Sequence, residues 1–261
     1  GEALSEIFDE GKIFREDIFI TSKLWNDSHA EGQVIPALQD SLKKLQLQYL
    51  DLYLIHWPVA FRHGVSFPSK PDDYLTPEEA PIIETWKQME EAKNSGMAKH
   101  IGVSNFSEKK LKDLISKAKI KPEMNQIELH PLLQQKALLD YCKSENILVT
   151  AYSPLGSGDR VAAMKADDEP NMMDISEIKE IARDRSASTA QVLIAWHNHR
   201  GCAAIPKSTT KEHIVANFKA ADVSLTDSDM EKIASLNRNY RYVDGKFFEE
   251  ESKGYHNIYD E

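Results

Sequence analysis

The chain has 261 residues, with 32 Lys and Arg against 42 Asp and Glu, a formal net charge of −10 and 41 % hydrophobic residues. The acidic excess argues against a nucleic-acid partner, which needs a basic face. No apolar run approaches the roughly 20 residues of a membrane span, and the opening GEALSEIFDEGK has no signal-peptide core. Two cysteines, Cys142 and Cys202, are too few for a disulfide framework and fit a cytoplasmic protein with core thiols. The length suits one α/β barrel of about 250 residues.

In chain order, Glu2–Glu10 reads as a helix and Asp17–Thr21 as the first short apolar run. His29–Gln48 then places Val34, Ile35, Leu38, Leu42 and Leu45 on one helical face. The second run is Leu50–His56, followed by a long loop over Pro58–Glu79. A helix over Ile82–Ser95 leads to the third run, Lys99–Val103. Ser107 caps a helix over Ser107–Ala118 ahead of the fourth run, Met124–Leu129. A helix over Leu133–Glu145 precedes the fifth run, Ile147–Tyr152, and a second long loop, Gly156–Asp174. Helices over Ile175–Arg185 and Thr189–His199 precede the sixth run, Cys202–Pro206. Helices over Glu212–Lys219 and Thr226–Asn237 follow it. The polar, aromatic stretch Asn237–Glu261 reads as a tail.

Runs this short, bounded by charge, Gly or Pro, suit strands buried on both faces. Their alternation with helices predicts βα units and a parallel sheet. Six strands fall short of a closed (β/α)8 barrel. The expectation is a single TIM-type barrel domain over residues 1–261, with its first strands absent from this sequence.

Chemistry concentrates at the ends of these runs. Lys23 follows the first, where an ammonium is either at a solvated barrel mouth or awkwardly desolvated. His56 ends the second, as a mouth residue or a satisfied structural histidine. Asn105 and Gln126 can pair with a planar amide or cap loops. Tyr152 and Ser153 offer an aromatic face and a hydroxyl. Lys207 with Ser208, Thr209 and Thr210 before a helix makes a phosphate site or an ordinary cap. His197 and His199 lie at i and i+2 on a helix and do not face each other, so no metal site is expected. His130, before Pro131, reads as structural.

In this order the motifs TSKLW, LIHWP, GVSNF, QIELHP, AYSPLGS, IPKS and RYVDGKFF closely resemble the aldo-keto reductase family, over essentially the whole chain. That resemblance implies a (β/α)8 barrel that reduces aldehydes and ketones with NADPH and has no Gly-rich Rossmann loop. By motif, Lys23 and His56 match the family's active-site lysine and histidine. Trp25, Trp57, Phe61 and Phe67 match aromatic pocket walls. Ser104, Asn105 and Gln126 match the clamp on the nicotinamide amide, and Tyr152 the residue stacked on its ring. Ser153, Leu155 and Ser157 match the pyrophosphate loop, with Asp159 a clasp over it. Lys207, Ser208 and Thr210 match the adenosine 2′-phosphate site, and Asn217 the adenine contact.

The sequence departs from the family in two places. The family's catalytic tyrosine and its aspartate fall before Gly1, and Tyr49 and Tyr53 stand too low on their strand to replace them. The chain from Gly1 is therefore expected to be nearly inactive, and a non-catalytic barrel of the same ancestry, acting as a binding or structural protein, is the alternative. His213 stands where the family carries an arginine, and Ala216 where a glutamate is usual. Without a guanidinium fork on the 2′-phosphate, NADH should be tolerated beside NADPH. A small carbonyl substrate and a monomer are expected.

Overall fold

The structure is a computed structural model that describes residues 1–161, 165–166 and 168–261. It is an α/β fold in which six parallel strands alternate with helices. The chain divides into two compact units, Gly1–Asn125 with Gly245–Glu261, and Gln126–Asp244.

The first unit opens with α1 (Glu2–Asp9), β1 (Thr21–Leu24), α2 (Val34–Leu45) and β2 (Leu50–Ile55). β1 and β2 pair in parallel with Lys23 opposite Leu54 and Leu24 opposite Ile55. Every residue of β2 is buried, as its unbroken LDLYLI run predicts. Asp51 is tolerated there because Arg15 at 2.7 Å and Lys99 at 3.1 Å hold its carboxylate, which also accepts the Ile20 N–H. Within the Pro58–Glu79 loop, β3 (Ala60–Phe61) pairs antiparallel with β4 (Tyr74–Leu75). Such two-residue strands leave no periodicity to read. Then come α3 (Ile82–Asn94), β5 (Ala98–Ser104), which pairs in parallel with β2, and α4 (Glu108–Lys117). Ser107 caps α4 as expected, accepting the Lys110 N–H at 3.1 Å. Trp86, Met89, Ile101 and Leu114 are fully buried in this unit's core.

β6 (Met124–Glu128) begins in the first unit and ends in the second. The second unit continues with α5 (Lys136–Ser144), β7 (Leu148–Tyr152), α6 (Ser176–Asp184), α7 (Thr189–His199), β8 (Ala203–Ala204), α8 (Lys211–Phe218) and α9 (Asp227–Ala234). β7 and β8 pair in parallel. Ser188 and Gln191 form a capping box on α7, and Thr226 and Asp229 one on α9. Cys142 and Cys202 are both buried free thiols. Of the long loop Gly156–Asp174, residues 162–164 and 167 lie outside the described residues.

Four strands differ from their sequence boundaries by no more than one residue at an end, and two differ by more. The first begins at Thr21 instead of Asp17, because Asp17 closes a 3-10 turn and Phe19 is 62 % exposed. The sixth shrinks to two residues. The stretch Asn237–Glu261 forms no strand, only 3-10 turns and an isolated bridge between Glu250 and Tyr255. No described helix is long and apolar enough to cross a membrane.

Candidate active site

In the first unit the C-terminal ends of β1, β2 and β5 meet. The His56 N–H donates to Leu24 O at 3.1 Å, and Asn105 Nδ2 donates to His56 O at 2.9 Å. Asn105 reaches that carbonyl from a left-handed backbone, φ 63°, which an Asn accepts more readily than most residues. Asn105 therefore bonds the His56 backbone and the Ser104 hydroxyl together, and the Lys23 charge acts on the His56 ring. Burial, and then the Lys23 charge, pull the His56 imidazole down to about 4, so it is neutral at pH 7. Burial also pulls Lys23 below its ordinary value. Lys23 has no ion-pair partner among the described residues, and it opens onto a cavity of about 380 Å³ bordered by Trp25, Asp27, Asp40 and Tyr53. The Tyr53 hydroxyl is buried without a hydrogen-bond partner, and burial pushes its phenol upward.

The four expected wall rings gather here, with a difference. Trp25 lies 5.0 Å from the His56 ring, Trp57 is 5 % exposed, and Phe67 is 53 % exposed. Phe61 is fully buried behind them, against Tyr74 and Phe248. Phe248 touches Trp25, Trp57, Phe61 and Phe67, and Phe247 reaches Trp57 and Phe67. Both rings belong to the motif RYVDGKFF, in which the sequence gives them no role. The adjacent phenylalanines in an otherwise polar stretch were the signal.

In the second unit Gln126 is buried in β6, and Tyr152 is half-buried at the end of β7. The loop after β7 bends through left-handed Ser153 and Gly156, and the Ser153 and Ser157 hydroxyls bond each other. At Gly156, φ 81°, a Cβ would come within 3.2 Å of the Tyr242 hydroxyl, so a side chain here would be strained and would press Tyr242 away from the loop. Leu155 is half-buried on the same bend. Asp159 and Lys207 pair at 2.5 Å, and that bond first of all holds the Asp159 carboxyl below its ordinary value. Ser208 Oγ accepts the Thr210 N–H at 3.1 Å. Thr210 occupies the N-cap of α8 but makes no side-chain cap bond. The first turn of α8 thus receives no bond from its own N-cap side chain, and it follows an exposed ammonium and two hydroxyls, a donor set that fits a phosphate. His213 is exposed in the first turn of α8 and half-buried Asn217 follows at i+4 on the same face. A cavity of about 470 Å³ beside α8 takes in Gln191, Val215 and Ala216.

The family model "Aldo/keto reductase family" matches residues 1–238. The chain belongs to the aldo/keto reductase family. It is 49 % identical to an aldo/keto reductase of Synechocystis across 100 % of this chain and 80 % of that protein. It is 43 % identical to aldo-keto reductase family 1 member A1 of Gallus gallus, over 93 % of this chain and 74 % of that one. Against aldose reductase C of Dictyostelium discoideum the figures are 45 %, 92 % and 74 %. Aldo/keto reductases are NADPH-dependent carbonyl reductases, and the α/β fold with six parallel strands agrees with that barrel family.

Sequence reasoning missed two features of the second unit. Arg160 pairs with Glu169, donates to Tyr242 O, and stands 5.4 Å over the Tyr242 ring. Glu128 is wholly buried and accepts from the Tyr242 N–H at 2.6 Å and the Val243 N–H at 2.9 Å, with His130 Nε2 at 2.8 Å. The close spacing of Glu128 and His130 was a weak signal; nothing local announces Arg160.

Proposed function

We propose that this chain is the body of a cytoplasmic, monomeric reductase that converts small aldehydes and ketones to alcohols, with NADPH as coenzyme and NADH tolerated. The observation that carries the reading is the neutral His56 beside a desolvated Lys23 at neighbouring strand ends. NADPH, when bound, supplies the hydride that reduces the carbonyl carbon. A neutral imidazole can donate its N–H to the carbonyl oxygen and orient it without competing for the proton. The Lys23 cation stabilises negative charge on a neighbouring proton donor and so favours release of that donor's proton. Trp25, Trp57 and Phe67 exclude water around the carbonyl. Ser104, Asn105, Gln126 and Tyr152 hold the nicotinamide end. Ser153, Leu155, Ser157 and Asp159 hold the pyrophosphate, and Lys207, Ser208, Thr210, His213 and Asn217 the adenosine end.

The family's tyrosine and aspartate match none of residues 1–261. A polypeptide of these residues alone is therefore expected to bind NADPH but to reduce aldehydes roughly 10²–10⁴-fold more slowly than the full-length enzyme. Titration with NADPH, followed by coenzyme and tryptophan fluorescence, tests the reading alongside aldehyde turnover in both proteins. Absence of NADPH binding by the full-length protein would sink it.

A further inference from the structure

The segment 245–261 carries Phe247 and Phe248 onto the wall rings and is fastened at two points. Tyr255 Oη accepts the Ala60 N–H at 3.0 Å and donates to Leu75 O at 2.9 Å. Five residues on, the Asp260 carboxylate accepts from Ser107 Oγ at 2.6 Å, Lys110 Nζ at 2.5 Å and Lys109 Nζ at 3.3 Å. Lys110 Nζ also donates to Ile258 O at 2.8 Å. Between the two fastenings the segment borders a cavity of about 350 Å³, whose other walls include Pro58, Ala80 and Phe106. The chain adopts left-handed backbone at Asn257 and Asp260 to bring the carboxylate round. Burial opposes the Asp260 charge, yet the bonds from Lys110 and Ser107 prevail and hold its carboxyl below its ordinary value.

The fastening connects to the rings through packed atoms. Tyr259 adjoins Asp260 and lies 6.2 Å from the Trp57 ring. A Cβ on Gly245 would come within 3.2 Å of the Tyr259 ring, so the turn that presents Phe247 and Phe248 starts against Tyr259.

We propose that Asp260 is a positioning residue. Bound to Ser107, Lys109 and Lys110, it latches segment 245–261 so that Phe247 and Phe248 close on Trp25, Trp57 and Phe67, and it thereby limits the size of the carbonyl compound admitted. The proposal rests on the reading above that these rings border the substrate.

The test uses the full-length enzyme with Asp260→Asn, Lys110→Met and, as a control on the outer face of α4, Lys112→Met. Tryptic cleavage after Lys253 reports release of the segment. The ratio of kcat/KM for a two-ring aromatic aldehyde to that for propanal reports pocket size. Both latch variants should be cut about tenfold faster, the size of one partly buried charge-assisted bond. The ratio should shift toward the larger aldehyde about three- to tenfold through KM. Kcat for propanal, NADPH affinity and the Lys112→Met protein should stay at wild-type values. Raising salt on the wild type should move cleavage the same way. Wild-type cleavage rates in Asp260→Asn and Lys110→Met overturn the latch. Faster cleavage with an unchanged aldehyde ratio overturns its control of the pocket. Failure of the functional reading looks different, because the wild type then binds no NADPH whatever the cleavage rates do.

Discussion

Lys23 lies near the end of β1 and Lys207 just beyond β8, yet their surroundings are opposite. Lys23 has no ion-pair partner among the described residues, sits half-buried beside the neutral His56, and is pulled down by desolvation. Lys207 is 72 % exposed and pairs with an exposed aspartate. The first unit uses burial to tune a charge, which suits chemistry on a bound molecule. The second uses exposed charge and hydroxyls on loops, which suits reversible grip on an anion. Residue type and strand position do not fix a lysine's work; the dielectric around it does.

Burial in the first unit should be felt most in the acid stability of the site. Burial, then the neighbouring His56 charge, pull His29 down to about 3, and His56 itself lies at about 4. In the unfolded chain both titrate near 6.5. The unfolded state therefore takes up protons first, and stability that is complete above about pH 6.5 is lost as pH falls toward 4. The slope is roughly 1.4 kcal/mol per pH unit for each histidine while it titrates in the unfolded chain alone. Urea denaturation at pH 7, 5.5 and 4.5 measures it, and replacing either histidine with glutamine should flatten the curve. A curve that stays level between pH 7 and 4.5 would break the claim that burial sets the charge here.

Next, Lys23→Met in the full-length enzyme should lower turnover roughly 10²–10⁴-fold with NADPH affinity little changed. Steady-state kinetics with a coenzyme titration decides it. A variant with lost affinity and intact turnover would reverse the roles given to the two lysines. Lys207→Met should do the opposite, weakening NADPH by about tenfold or more, the worth of one charge-assisted bond, while NADH affinity holds. Melting temperature should barely move, since exposed pairs contribute about 0–1 kcal/mol. The smallest effect sharpens the picture of the grip: His213→Arg adds a guanidinium fork and should raise selectivity for NADPH over NADH by roughly tenfold. Equal selectivity in wild type and variant would show that His213 does not face the 2′-phosphate.

What the sequence disclosed followed from how local each signal is. LDLYLI is apolar without a break, and β2 lies where that run predicts. Ser107 and Thr189–His199 likewise gave a cap and a helix that the structure contains. DIFIT misled because Phe19 is apolar yet rests against the His100 ring at the surface, 6.4 Å between centroids. Lys23, His56 and Asn105 could be placed at one end of their strands from position alone, since parallel strands point their ends the same way. The depressed His56 could not be read, because it depends on packing around the ring. Asp260 with Ser107 and Arg160 with Tyr242 are separated by 153 and 82 residues, and no window along the chain contains either pair.

The Glu128 cradle has a consequence for how the protein comes into being. Its two backbone donors lie 114 and 115 residues downstream. Closing so long a loop is entropically expensive, and contacts of this separation form late in folding. At a synthesis rate of roughly 5–20 residues per second, Tyr242 follows Glu128 out of the ribosome by about 6–20 s. During that interval a side chain destined for complete burial has, of its partners among the described residues, His130 alone. The Glu128 carboxylate must therefore wait for the last part of the second unit to arrive before its backbone donors are in place.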